Sequence, residues 1–152
     1  MPSLPPTTQK NYETTPLQPS LIIFPNSTYN YDWRNKLSTP VKDQGACGAC
    51  WAFAAIADLE STYMLKYQYK VDFSEQQLVD CSSAFGNDGC GGGMMNSAFQ
   101  YVLKMGVTLE SYYPFRQRVG ECQYSPTTMP HFSISKSNII FGDCSALAGV
   151  LK

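Results

Sequence analysis

From Cys50 the chain enters a run of small apolar residues, CWAFAAIA, and then sets apolar and polar positions three and four apart through DLESTYMLKYQYK. This pattern predicts one long helix over residues 50–70, apolar on every face in its first half, so buried all round there, and amphipathic in its second. FSEQQLVDC follows, with Ser74 three residues ahead of Gln77, a capping-box spacing that makes Ser74 the N-cap of a short helix reaching Cys81. SSAFGNDGCGGG reads as a glycine-rich loop, and MMNSAFQYVLKMG as a third helix that stops at Gly106.

Beyond that point YYPF and YSPTTMP read as turn and extended chain, and HFSISKSNIIFG, residues 131–142, alternates enough to predict a strand. CSALAGVLK begins a further helix and stops without a cap, so the sequence is read as incomplete. Residues 1–30 hold six of the ten prolines and many Thr, Ser and Asn. Such a composition buries little and predicts a disordered leader. The expected organisation is this leader, a helical unit over residues 31–130, and the beginning of a strand-containing unit over 131–152.

Composition narrows the class. Hydrophobic residues make up 43% of the 152 and charged residues 15%, which is the balance of a globular chain with a core. A net charge of −1 and no clustered Lys/Arg leave nothing to hold a phosphate backbone, so no nucleic acid is expected. The longest apolar run, Cys50 to Ala57, is far short of the roughly 20 residues of a membrane span, so no membrane is expected either. Six cysteines, at 47, 50, 81, 90, 122 and 144, point to an oxidising compartment. No signal-peptide pattern accompanies them, Leu21–Phe24 being too short for one. Asn26-Ser27-Thr28 is a glycosylation sequon.

The chemistry centres on QGACGACWAF, residues 44–53, where Cys47 and Cys50 stand two residues apart. Three readings compete: a thiol–disulfide redox pair, half of a metal site, or one structural and one reactive cysteine. A redox pair usually follows a strand and has its Trp before the first Cys, whereas Trp51 here follows the second. Zinc needs a second knuckle, but Cys81 and Cys90 are nine apart and His131 stands alone; no metal and no cofactor are expected. In the third reading Cys50 lies at a helix N-terminus, where the macrodipole favours thiolate, and the small neighbours Gly48 and Ala49 leave the sulfur and local N–H groups approachable. Gln44 is a candidate oxyanion donor, or a solvated loop residue.

PVKDQGACGACWAF, taken with DWR, SEQQLVDCS and GCGGGMMNSAFQY in that order, resembles the papain family of cysteine peptidases, nearest its cathepsin L-like branch. The resemblance runs from Tyr31 to about Lys152. It implies that Cys50 is the nucleophile and Gln44 the oxyanion donor beside the Cys50 N–H. It implies disulfides Cys47–Cys90 and Cys81–Cys122, a scheme in which Cys144 has no assigned partner. It implies a peptide cleft in which Gly48, Gly92 and Gly93 hold an extended backbone while Met94 and Met95 floor apolar subsites; the residues alone read Met94 and Met95 as core filling. Ala49 stands where the family usually has serine. Trp33 and Trp51 are structural anchors.

The family chemistry also uses a His and an Asn roughly 130 to 150 residues beyond the nucleophile. His131 lies 81 residues beyond Cys50 and only 102 residues follow Cys50 at all. A helix terminus stabilises an anion by at most about 2 kcal/mol, short of what a His partner supplies, and nothing else here protonates a leaving amine. The expected fold is therefore α-rich α+β: a papain-like fold with the helical left domain complete and the β-rich right domain only begun. Residues 1–30 resemble only the tail of a family propeptide. The expected function is cysteine-type endopeptidase, inactive as this chain alone and lysosomal, vacuolar or extracellular, with a peptide or protein substrate and a complementary right-domain chain as partners. The alternatives are a non-catalytic peptide-binding module of the same fold and the redox protein.

Overall fold

A computed structural model describes residues 39–137, and within them the order is helix, helix, two short 3₁₀ turns, helix. Helix α1 spans Cys50–Tyr67, α2 Glu75–Cys81 and α3 Met95–Met105; the 3₁₀ turns are Ser83–Phe85 and Gly89–Gly91. The leader, Trp33 and the helix expected from Cys144 lie outside the described residues.

Helix α1 carries the core: Trp51, Ala52, Ala55, Ile56 and Leu59 are buried against Leu78 and Val79 of α2 and Ala98, Tyr101 and Val102 of α3. Each large aliphatic side chain buried there contributes about 1.5–3 kcal/mol, and the alanines let the helices approach. The expectation of a first half buried on every face is corrected, because Ala54 and Ala57 are exposed. A run of alanines carries no polar side to mark which face is open. The helix ends at Tyr67, three residues short of the predicted limit, because Gln68 turns left-handed at φ 56 and its N–H closes on Met64 O at 2.8 Å.

Ser74 caps α2 by accepting from the Gln77 N–H at 3.0 Å, which is half of the expected capping box. The other half is absent. The Gln77 amide instead donates to Tyr101 Oη and Gly106 O at 2.9 and 3.1 Å and accepts from Thr108 N at 2.7 Å, tying α2 to the end of α3. The strand predicted over 131–142 is also corrected where it is described. Phe132 makes a single antiparallel bridge with Val107, through bonds of 2.8 and 2.9 Å, and there is no strand among the described residues. Alternation puts Phe132 and Ile134 against the core, but a ladder needs a continuous neighbour, and Val107 offers one residue before the chain turns away.

Candidate functional site

Cys50 is the first residue of α1, exposed and unpaired, with Ala49 as an N-cap that has no side-chain bond to give. The helix starts here because Ala49 O accepts from both Ala52 N and Phe53 N, at 2.8 and 3.1 Å. Among the described residues no acceptor takes the Cys50 N–H, which leaves that donor free at the helix N-terminus. The residues before it form a tight turn. Gly45 has φ 58, its N–H donates to Asp43 Oδ1 at 2.8 Å, and the Gln44 side chain donates Nε2–H to Cys47 O at 3.0 Å. An amide nitrogen carries two hydrogens; one is spent on Cys47 O.

Cys47 is bonded to Cys90 and Cys81 to Cys122, which are the pairings the resemblance implies. The first bond removes Cys47 from any partnership with Cys50, so the redox reading of the pair is corrected. It also draws the glycine-rich loop against the turn. Gly48 N donates to Cys90 O at 3.1 Å, an approach that any side chain on Gly48 would block.

The glycines beyond Cys90 differ in what they permit. Gly92, at φ 123, has open space where a side chain would stand. A Cβ on Gly93 would fall 2.6 Å from Asn87 Oδ1 and 2.7 Å from the Trp51 ring, so the fold already demands glycine there. Trp51 is fixed by its Nε1–H to Gly89 O at 3.1 Å, and Asn87, 4% exposed, accepts from Met94 N at 2.8 Å and donates to Ser82 Oγ at 2.9 Å. Met94 and Met95 open α3 and stand 65% and 47% exposed, so core filling does not describe them. The Cys47–Cys90 bond thus ties the segment that carries Gln44, Gly48 and Cys50 to the segment that carries Gly92, Gly93, Met94 and Met95. His131 is exposed at the far end of α3, against Gly106, about 15 Å along the helix from Met95.

A second polar group has no signal in the sequence. Lys42 Nζ reaches Glu60 at 2.9 Å and Asp72 and Glu75 at 2.7 Å each. Burial alone lowers the Lys42 ammonium, but its bonds to Asp72, Glu75 and Glu60 carry it above its ordinary value. Burial raises Glu75, with the Glu60 charge adding and Lys42 opposing, because three carboxylates share one cation. Lys42, Glu75, Glu110, Pro40, Phe53 and Phe115 line a cleft of about 250 Å³. There Glu110 accepts from Phe115 N at 2.6 Å through Oε1 while Oε2 has no partner.

Burial pushes the Glu110 carboxyl up to about 7, against the Phe115 N–H and with help from the Glu75 and Asp72 charges. A carboxyl raised in the folded state contributes stability that is complete below its unfolded value near 4.5 and lost as pH climbs through about 7. Thermal melts should therefore show the chain losing stability between those limits. Gln at position 110 should flatten most of that slope, Glu75 leaving a residue of it; an unchanged slope in Glu110→Gln would refute the assignment.

A family profile described as papain family cysteine protease matches residues 27–143. The chain is 48% identical over 95 residues to a cathepsin L-like proteinase of Fasciola hepatica, covering 62% of this chain and 29% of that protein. It is 47% identical over 109 residues to procathepsin L of Mus musculus, covering 70% and 32%. The chain thus spans about a third of the length of these curated relatives. Among solved structures, the Carica candamarcensis cysteine protease CMS1MS2 in complex with E-64 superposes with a TM-score of 0.73 at 31% identity, covering 80% of this chain and 57% of that one. Digestive procathepsin L 3 of Tenebrio molitor gives 0.62 at 39%, covering 66% and 33%. The described residues, helical and without strands, have the helical left half of that fold.

Proposed function

This chain belongs to the papain family of cysteine proteases, and from that premise we propose that residues 39–137 carry the nucleophile half of a cysteine-type endopeptidase site. The carrying observation is the unpaired Cys50 at the mouth of α1, preceded by a turn in which Gln44 donates to Cys47 O and which the Cys47–Cys90 bond ties down. The Cys50 thiolate attacks the peptide carbonyl and a C–S bond forms. The carbonyl π pair moves to oxygen, where the Cys50 N–H and the second Gln44 Nε2–H receive it. Collapse then expels the amine, which needs a proton. His131 lies against Gly106 at the end of α3 away from Met95, so an amide adduct finds no proton there and reverts by expelling thiolate, whereas an ester whose leaving group departs as an anion acylates Cys50. Gly92 offers backbone to an extended peptide and Met94 and Met95 floor its apolar subsites, with Gly48 and Gly93 keeping the walls close. A complementary right-domain segment, on this chain's continuation or on another, supplies His and Asn.

The two disulfides and the digestive and cathepsin L-like names of the relatives support a lysosomal, vacuolar or extracellular setting. Among the described residues no helix is long and apolar enough to cross a membrane.

A peptidyl p-nitrophenyl ester tests the site. The thiol proton goes to solvent, Sγ bonds to the acyl carbon, and nitrophenolate leaves with the bonding pair. One equivalent should be released per chain, none from Cys50→Ala, and no peptide amide should be cut. Amide turnover that disappears in Cys50→Ala would overturn the inactivity. Peptide binding without any acylation would favour the non-catalytic binding module, to which the exposed Met94 and open Gly92 are equally suited.

A further inference from the structure

Gln117 and Gly45 are both left-handed, at φ 57 and 58, and they touch: a Cβ on Gly45 would overlap the Gln117 side chain at Oε1 and Cδ. Nothing in the acylation chemistry uses residue 117. A glutamine in this region costs free energy and persists only where its surroundings over-determine it. Here they do. Gln76, fully buried in α2, accepts from Arg116 N at 2.6 Å and donates to Arg118 O at 2.7 Å, so one amide grips the backbone on both sides of residue 117. Asp80, one turn on, accepts from Gly120 N at 2.7 Å and from Tyr113 Oη at 3.0 Å, and Cys81 is bonded to Cys122. The loop over 113–122 is thereby fastened to α2, with Gln117 at its apex and exposed.

What the apex rests on is the turn that presents Gln44. Gly45 follows Gln44 directly, and the turn's own bonds are few: Gly45 N to Asp43 Oδ1, Gln44 Nε2 to Cys47 O, and a long Cys47 N to Gln44 O contact of 3.4 Å. On its downstream side the Cys47–Cys90 bond and the Gly48–Cys90 contact fix it. On its upstream side, the Gln117 side chain closes over the Gly45 Cα. We propose that Gln117 is a positioning residue for the oxyanion donor: Gln76 sets its backbone, and its side chain presses the Gly45 turn so that the Gln44 amide stays aimed beside Cys50. This rests on the acylation reading given above, and it makes the Gln76 amide part of the support of the site.

The test uses the 152-residue chain and the variants Gln117→Gly and Gln117→Glu. Glycine keeps the left-handed backbone without its cost, so the melting temperature should not fall, yet the clamp is gone. Hydrogen exchange at the amides of residues 45–48 should then rise about tenfold with α1 unchanged, and Gln117→Glu, of the same reach, should restore it. Acylation of Cys50 by the peptidyl ester, which builds an oxyanion, should slow about tenfold in Gln117→Gly, less than loss of a whole donor. Alkylation by iodoacetamide, which displaces iodide and builds none, should be unchanged. Unaltered exchange at 45–48, or ester and iodoacetamide rates falling together, would overturn the proposal. Should the parent chain fail to acylate, the site reading fails while exchange still judges the clamp.

Discussion

Lys42→Met should lower the unfolding free energy by about 3–5 kcal/mol, the cost of leaving a buried charge without its partner. Glu60 and Glu75 are each 1% exposed, and Lys42 is the cation that reaches both. Glu60 Oε1 also accepts from Phe73 N at 2.9 Å, but Oε2 has no partner, so little else offsets the lost ammonium. Methionine keeps the apolar stem, which makes charge and not volume the cause. The Glu75 carboxyl, already raised by burial and opposed in that by Lys42, would then hold its proton to still higher pH. By linkage the deficit should be largest at neutral pH and shrink as pH falls. Asp72→Asn is the control, since the Asp72 side chain is 64% exposed and an exposed pair contributes about 0–1 kcal/mol. Urea titrations of the three proteins at pH 5 and pH 7.5 would decide it. A loss below about 1 kcal/mol in Lys42→Met at the higher pH would remove the buried triad from the account.

The same cluster shows where sequence reading stops. Helices α1, α2 and α3 were legible because apolar spacing, the Ser74 cap and the Gly106 stop are local signals. The split of the cysteine pair, Cys47 bonded and Cys50 free, was legible because the motif that carries it, Gln44 to Trp51, is contiguous. Glu75, Gln76 and Gln77 were not. Nothing local marks three polar residues at the start of a short helix as core, yet all are buried, because their partners, Lys42, Arg116, Arg118, Tyr101 and Thr108, come from elsewhere in the chain. Polar groups enter a core only when bonded there, and a bond across forty residues leaves no trace in local periodicity. Gly93 carries the same lesson. Substrate approach would explain a glycine there, but Trp51 and Asn87 already require it, so its identity does not speak for a ligand.

The Cys47–Cys90 bond joins stability to chemistry, and its removal should separate it from its counterpart. The bonds span 43 and 41 residues, so chain entropy assigns each about 4 kcal/mol. Cys47→Ala/Cys90→Ala and Cys81→Ala/Cys122→Ala should therefore lower the denaturation midpoint by similar amounts. Their effects at Cys50 should differ. Cys47 is 2% exposed in the turn that leads to the nucleophile, and Gly48 N bonds to Cys90 O, so cutting this staple lets the turn and the Gly92 loop drift apart. Cys122 is exposed, and Gln76 and Asp80 still hold its loop by hydrogen bonds once the disulfide is gone. Ester acylation of Cys50 should thus fall about a hundredfold in the first variant, as when an oxyanion donor is lost, and severalfold at most in the second. Equal acylation rates in the two folded variants would show that the bond beside Cys50 only staples the chain and leaves the geometry of the site to the turn itself.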